Sequence, residues 1–483
     1  MVMVAFLVTL APTAAFAHGR LKRSEPASGA HLAETPRLLR LEFSETLELN
    51  FTSVRLLARD GREITLAPLA FAADSRRAVV AAVRGAMAAG TYTVVWQMAG
   101  DDGHPVRGRF EFVVAPGAMG TGVVTGDSAA AGIPAAMDSS MHHDPASMPE
   151  STGFDANSPL YVALRWLQYA ALTLAIGAAS FRFLVLGLLR RDRQDVGEQS
   201  SFALEAERRA ARIGHAAVAL LGATLLLRLG AQSYAMHGVT DVFDGSLIAA
   251  MLTHTMWGWG WLLQLAGVAI AGVGYHHARG DGRNVFSAGA DSTRRGSDGW
   301  WTIAALGALV VAFSPALSGH AASAPRLRAL AVLADGVHVL GASSWLGTLA
   351  IVLLAGLPVV SRQVAEARGP LARSLIHAFS PVALASAGVA ATTGIFAAWL
   401  HVGTIPNLWG TRYGITLLVK LAVLGVVALT GFYNWRVVQP RLGTEAATVH
   451  LLRSARVEVA VAVVVLLVTA VLVASPTSMD ATM

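Results

Sequence analysis

Two ionisable residues, Asp335 and His338, lie inside a long apolar stretch of this sequence. Their spacing of three places them on one face of a helix, together with Ala342 and Trp345. Ionisable side chains within a bilayer are costly and usually functional, so the pair is a candidate site, and His320 ends the preceding apolar run. The alternative is structural: His338 hydrogen-bonds a neighbouring helix and Asp335 caps it.

A second candidate lies at the start of the chain. Residues 1–17 form a short apolar segment that ends in an A-x-A pattern, which is typical of a signal-peptide cleavage site. Cleavage after Ala17 would make His18 the first residue, and its amine and imidazole could then chelate a metal ion together. The alternative is that the position of His18 is incidental.

Short alternating segments follow as far as residue 115, and they predict a small all-β Greek-key sandwich or barrel. We expect strands at 37–43, 53–59, 64–66, 78–83, 92–97 and 109–114. Asp102 and His104 lie in the turn between the last two strands. A carboxylate and an imidazole placed in this way can both bind a metal ion.

The remaining two thirds of the chain are dominated by apolar runs. The whole sequence has 483 residues, of which 54% are hydrophobic and 14% charged, and this composition is typical of membrane proteins. Each apolar run is long enough to cross a bilayer. We predict an all-α domain of eight membrane helices, at 160–188, 212–234, 257–276, 300–318, 328–357, 374–399, 414–434 and 456–475.

The distribution of arginine predicts the orientation of these helices. Arginines concentrate in the connections 189–211, 277–299, 358–373 and 435–455, which are therefore expected in the cytoplasm. The N-terminal domain and the C-terminus should then be periplasmic, in agreement with the signal peptide. The net charge of +6 does not indicate a nucleic-acid partner, because the basic residues lie beside apolar runs.

One connection on the predicted outer side is rich in possible metal ligands. Residues 235–256 contain two histidines and three methionines but no basic Lys or Arg, which suits the mouth of a cation pathway. The accessory ligands expected there are Met236, His237, His254 and Met256. The chain has no Cys, so a thiolate metal site is excluded.

The N-terminal region resembles the CopC family of periplasmic copper-binding proteins. The resemblance rests on His18 after the cleavage site, the segment SEPASG at 24–29, and the closing strands YTVVW…DGHPVRGRFEF. It implies a Cu(II) site formed by His18, with its amine, Asp102 and His104.

The apolar region resembles the CopD family of copper-resistance membrane proteins. The matching segments are LSGHA, DGVHVLGASSWLGTL, FSP, and Lys420 with FYNW. This resemblance implies copper uptake across the bacterial inner membrane, with His320, Asp335 and His338 at family motif positions. It leaves the oxidation state of copper at the membrane site open.

Between these regions, residues 116–158 have the composition of a flexible linker. Its Met137, Met141, His142 and His143 could hold copper loosely and relay it, or could reflect chance composition. The expected organisation is a signal peptide at 1–17, a copper-binding domain at 18–115, the linker, a membrane domain at 159–476 and a periplasmic tail at 477–483.

These observations predict a copper importer without enzymatic activity. No phosphate-binding Walker motif occurs, so we expect no ATP-driven step. The expected partners are copper ions, the lipid bilayer and a periplasmic copper chaperone. Two alternatives remain: a haem-binding electron-transfer protein that uses the membrane histidines, and copper sequestration without transport.

Overall fold

The computed structural model of the chain describes residues 21–44, 47–99, 105–116, 158–191, 198–239, 241–280, 290–319, 327–439 and 445–475. Strands occupy the first part of the described chain and helices the second, as the sequence predicted.

The N-terminal strands form two sheets, ordered β1-β3-β7-β6 and β2-β9-β8-β4-β5. The strands are β1 Leu21–Glu25, β2 His31–Leu32, β3 Leu38–Phe43, β4 Ser53–Ala58, β5 Glu63–Ile64, β6 Ala70–Ala72, β7 Ser75–Ala82, β8 Gly90–Ala99 and β9 Pro105–Val114. The six predicted strands are confirmed, with shifted ends. The sequence did not predict β1, β2 and β6, because β1 is strongly charged and the other two have only two or three residues.

Both sheets contribute to one apolar core. Along β3, Leu39, Leu41 and Phe43 are fully buried and alternate with more exposed residues, as expected for a strand with one covered face. The Phe43 ring packs edge-on against Trp96 of the other sheet, with ring centroids 5.1 Å apart. The unit is therefore a β-sandwich.

The β8–β9 hairpin is paired without interruption from Gly90↔Val114 to Ala99↔Pro105. Trp96 lies opposite Gly108, and a Cβ at Gly108 would be 2.6 Å from Trp96 Cε2. Glycine is therefore required for the large ring to cover its own sheet at this point. The segment that joins the paired ends contains Asp102 and His104, which lie outside the described residues.

Eight helices in the described part of the chain are long and apolar enough to cross a membrane, and they match the eight predicted positions. They are span 1 Pro159–Arg191, span 2 Ser201–His237, span 3 Met256–Ala278, span 4 Asp298–Leu317, span 5 Arg328–Val360, span 6 Ala365–Val402, span 7 Arg412–Val437 and span 8 Arg453–Ala474. The helices that contain spans 2, 4 and 8 begin earlier, and they cover Glu198–His237, Ala290–Leu317 and Glu445–Ala474. Short helices at Gly245–His254 and Asn407–Gly410 precede spans 3 and 7.

Consecutive spans run in opposite directions. Spans 1, 3, 5 and 7 therefore begin at one end of the bundle, called the proximal end, and finish at the distal end. Three of these four spans contain a π-helical turn near the distal end, at Phe181–Val185, Val352–Gly356 and Asn434–Val438. Such turns are rare in α-helices and often occur near functional sites.

Span 1 makes polar contacts with several of its neighbours. Thr173 and Ser180 each bond a serine of span 5, with oxygen–oxygen distances of 3.4 and 3.0 Å. Gln168 Nε2 donates to Gln264 of span 3 at 2.9 Å, and Trp166 Nε1 donates to a carbonyl of span 8 at 3.2 Å. These bonds satisfy polar groups that apolar surroundings would otherwise leave unpaired, and they fix span 1 among its neighbours.

A buried ionic network joins spans 1, 2 and 4 at the distal end. Arg182 Nε lies 2.7 Å from Glu207 Oε1, and its guanidinium also pairs with Asp298. Arg190 Nη2 contacts the second oxygen of Glu207 at 2.5 Å. Because Arg182 and Glu207 are both buried, removing either would leave an uncompensated charge, so the network holds the three helices together.

Candidate metal centre

His338 has hydrogen bonds at one ring nitrogen, and no partner of the other is found among the residues that the structure describes. Its Nδ1 lies 2.9 Å from the carbonyl oxygen of Ala390 and 3.2 Å from Thr393 Oγ1, both on span 6. A carbonyl only accepts hydrogen bonds, so Nδ1 carries the ring proton and Nε2 carries the lone pair. Metal-binding histidines in proteins commonly have this arrangement, in which the second nitrogen donates to a carbonyl.

Small residues bring span 6 close enough to make this contact. A Cβ at Gly394 would lie 3.2 Å from the His338 ring, and one at Gly341 would lie 3.1 Å from the Ser386 carbonyl. Larger side chains at either position would push the two helices apart. Gly341 and Gly394 therefore allow spans 5 and 6 to pack closely.

Asp335 lies one turn before His338 and is half-buried. It interacts electrostatically with Lys420 and Tyr413 of span 7 and with Tyr169 of span 1. Lys420 also acts on the charge of His338. The pair therefore shares its electrostatic surroundings with a lysine side chain of span 7.

The described residues alone do not complete a metal centre. Among them, no three His, Asp or Glu side chains converge in a way that could hold a metal ion. His320 lies outside the described part of the chain, so the predicted set of His320, Asp335 and His338 stays a prediction. The same applies to His18, Asp102 and His104, and to the linker ligands Met137, Met141, His142 and His143.

The accessory ligands lie around the short helix before span 3. Met236 is buried, and His237 ends span 2 with its Nδ1 3.3 Å from Ser233 Oγ. The exposed His254 has its Nδ1 3.1 Å from the carbonyl oxygen of Ala250 in the same helix. Met256 is the first residue of span 3. Among the described residues, no group of three or more His, Asp or Glu side chains that could hold a metal ion is found here, and the accessory role stays a prediction.

The acidic side chain of Asp244 in this connection has a structural role. Its Oδ1 accepts hydrogen bonds from the hydroxyl and amide of Ser246 and from the amide of Leu247. Asp244 thereby caps the N-terminus of the short helix. These bonds stabilise the carboxylate, led by the Ser246 hydroxyl, and hold the pKa of Asp244 below its ordinary value. Asp244 is therefore a helix cap, and this use competes with any role in attracting copper.

Three basic residues in the bundle, Lys420, Arg165 and Arg228, had no role predicted from the sequence. Lys420 was named only as part of the segments that resemble CopD. Arg165 and Arg228 are isolated charges in apolar runs, and this isolation could have identified them as candidates. Arg165 Nη1 donates to the Ala470 carbonyl and Arg228 Nη2 to Ser318 Oγ, both at 3.4 Å. Each guanidinium also lies over an aromatic ring, of Tyr161 and Trp257 respectively. These arginines bind helices together near the proximal end.

Three family models match successive parts of the chain. The CopC domain matches residues 21–115, the copper resistance protein D-like N-terminal domain matches 155–326, and copper resistance protein D matches 373–472. The chain belongs to the CopC–CopD copper-resistance family. The whole of span 5, with Asp335 and His338, lies between the two matched parts of the CopD region.

Two curated relatives show how far this family membership extends. Copper transport protein CutJ of Bacillus subtilis is 25% identical over 477 residues, which cover 98% of this chain and 77% of CutJ. Copper resistance protein C of Escherichia coli is 32% identical over 107 residues, covering 21% of this chain and 83% of that protein. The crystal structure of CopC from Methylosinus trichosporium OB3b aligns with 22% of this chain and all of that chain, at 28% identity and a TM-score of 0.20.

The CopC–CopD protein is therefore a multi-pass membrane protein of a copper resistance and transport family. Copper is the ion that its family membership indicates. The sandwich corresponds to the CopC part and the bundle to the CopD part.

Proposed function

We propose that this protein captures copper in the bacterial periplasm and imports it across the inner membrane. The observation that carries the proposal is His338, whose Nδ1 is bonded to Ala390 and whose Nε2 is available to a metal ion within the bundle. The relative CutJ is named a copper transport protein, and this name supports a role in copper transport.

Capture is assigned to the N-terminal domain. After signal-peptide cleavage, His18, with its free amine, Asp102 and His104 bind Cu(II), and the linker methionines and histidines pass copper on. A periplasmic copper chaperone would supply the ion. Transfer into the bundle then uses His320 and His338, with Asp335 offsetting part of the charge of the ion.

The proximal end of the bundle faces the periplasm in this proposal. The arginine-poor connections lie at that end and the arginine-rich ones at the distal end, as the positive-inside rule requires. His338 then lies about 15 Å below the start of span 5, at 1.5 Å per residue from Arg328. Transport would be facilitated or coupled to another ion, without ATP or enzymatic chemistry.

Copper uptake into proteoliposomes of defined orientation tests the proposal. Full-length protein is reconstituted, its orientation is read from protease access to the N-terminal domain, and uptake is measured separately with Cu(I) and Cu(II). His338→Ala should lower uptake per folded molecule by at least about tenfold, since even loss of a residue that orients a metal ligand costs about 10–100-fold. His377→Ala is the matched control, because His377 is an exposed histidine of span 6.

Each alternative predicts a different result in this assay. Normal uptake by His338→Ala with less folded protein would assign His338 to helix packing only and end the case for the membrane site. Stoichiometric copper binding without any uptake would favour sequestration. A pyridine haemochrome spectrum from the same purified protein would favour the haem-binding alternative.

A further inference from the structure

Three histidines gather at the distal end of the bundle, far from His338. His215 of span 2 lies about 33 Å from the proximal end of its helix at His237, and His276 of span 3 lies about 30 Å from Met256, at 1.5 Å per residue. The His215 and His276 rings have centroids 5.6 Å apart, and His276 and His277 have centroids 5.3 Å apart. Two helices thus bring imidazoles together where span 2 and span 3 approach the arginine-rich connections.

His215 has a buried nitrogen that no hydrogen bond satisfies. Its Nδ1 is inaccessible to solvent and has no hydrogen-bond partner among the residues that the structure describes. The backbone of Gly272, one turn before His276 on span 3, lies beside the same ring. A buried imidazole nitrogen without a partner is a costly feature unless something binds there.

His276 is held in a form that does not bind metal. Arg279 Nη2 lies 3.0 Å from His276 Nδ1, and a guanidinium can only donate, so Nδ1 accepts and the ring proton lies on Nε2. Arg279 must leave before His276 can offer Nε2 to a metal ion. The return of Arg279 would then weaken binding and favour release.

His277 is the natural comparison for these two residues. Its ring stacks on Trp300 with centroids 4.2 Å apart and planes at 22°, so its environment is an aromatic contact on span 4. His276 and His277 are both exposed, which makes substitution at either tolerable for folding.

We propose that His215 and His276 form a second, Cu(I)-binding site at the distal end, from which copper leaves the protein, and that Arg279 competes with copper for His276. The assignment as an exit rests on the proposed import function. Two imidazoles on one ion, with bonds of about 2 Å, would hold their centroids about 6 Å apart, close to the observed separation. No third His, Asp or Glu ligand converges there in the described chain, and a two-nitrogen site suits Cu(I) better than Cu(II) or Zn²⁺.

Anaerobic Cu(I) titration of the purified full-length protein against a coloured chelator tests this site. The background variant is His338→Ala, so that the proposed proximal site does not contribute. His215→Ala and His276→Ala should each lose one equivalent of bound Cu(I), whereas His277→Ala should keep it. Arg279→Met should bind Cu(I) more tightly, by roughly tenfold, because the competing donor is gone.

The direction of the Arg279→Met effect separates this site from a structural role. A merely structural Arg279 would make the variant weaker or unstable, and that result, or an unchanged stoichiometry in His276→Ala, would overturn the proposal. Because His276 is exposed, its variant remains informative if His215→Ala does not fold. The titration requires no transport, so a protein that binds this Cu(I) but imports no copper would refute the import proposal and leave the site standing.

Discussion

A single hydrogen bond decides what the imidazole of His338 can do. With Nδ1 donating to the Ala390 carbonyl, the ring has a fixed tautomer and a fixed orientation, and Nε2 is left for a ligand. At His215 the corresponding nitrogen, Nδ1, is buried and has no hydrogen-bond partner among the residues that the structure describes. The two histidines lie at different depths, His338 about 15 Å from the proximal end of span 5 and His215 about 33 Å from that of span 2.

The first prediction at this scale concerns His18. Adding one residue before His18 should weaken Cu(II) binding by the mature protein by more than about tenfold, because the terminal amine could no longer chelate together with its own ring. Competition titration with Cu(II), followed by absorption spectroscopy, measures the change. A variant extended by one residue at the C-terminus is the control, and equal Cu(II) affinity of the N-terminally extended and native forms would contradict the assignment.

Asp335 and His338 could be predicted from the sequence because an ionisable residue is conspicuous in an apolar run. The partners of His338 could not be predicted in the same way. One is a backbone carbonyl, which every residue has, and the other is Thr393, 55 positions away on a different helix. The ionic environment of Asp335 was missed for a related reason: Lys420 lies on span 7, and nothing in the spacing of the two residues indicates that these helices meet.

At the scale of elements, the contact between spans 1 and 5 depends on two glycines. A Cβ at Gly347 would lie 2.9 Å from the Gly177 Cα and would overlap the Thr173 carbonyl. The same face carries the hydroxyl pair of Thr173 and Ser343. Span 5 is therefore held at backbone distance from span 1, which fixes the helix that carries Asp335 and His338.

The second prediction follows from this contact. Gly347→Ala should destabilise the folded protein by about 1–3 kcal/mol, the usual cost of overpacking. Gly388→Ala is the matched control, because nothing lies within 4 Å of a Cβ at that position and alanine favours the helix over glycine.

Thermal unfolding in detergent, followed by size-exclusion chromatography with fluorescence detection, measures the difference. A Gly347→Ala protein that unfolds at the same temperature as Gly388→Ala would show that the close contact between spans 1 and 5 is not needed.

Helices and strands with a strong local sequence pattern could be predicted well, and those with a weak pattern could not. Each span carries some twenty apolar residues, so its position is evident without its neighbours. Strand β2 has two residues, and it exists because His31 and Leu32 pair with the end of β9, about eighty positions later in the chain. The π-helical turns were not predicted, and their sequences FRFLV, VLLAG and NWRVV share no pattern that distinguishes them from the α-helical residues on either side.

For the whole molecule, the third prediction concerns topology. Reporter fusions after Arg193, Arg295, Arg368 and Arg441 should report the cytoplasm, and fusions near Asp244, Pro325 and Asn407 should report the periplasm. A phosphatase reporter that is active only outside and a fluorescent reporter that is active only inside provide opposite readouts at every site. Reversed results at any two sites would contradict the eight-span orientation with both termini in the periplasm.

The order of the parts could be predicted at this scale, but not the packing of the bundle. Composition alone separates a region of short strands from a region of apolar runs, and the three family matches follow that order. Which spans touch depends on small residues such as Gly177 and on polar pairs such as Gln168 with Gln264. These residues make their contacts only when both helices are in place, so the sequence of one helix does not show which helix it will touch.

The π-helical turns of spans 1, 5 and 7 have a consequence for aligning the chain with its relatives. A π turn accommodates one residue more than the α turn it replaces, so a relative whose helix is α-helical at that point would have one residue fewer in it. Such relatives would align with one-residue gaps inside these helices, where gaps are usually rejected. Beyond each gap, an uncorrected alignment would place every side chain about 100° out of phase, and ancestral comparisons of the distal end would pair residues that never faced the same neighbour.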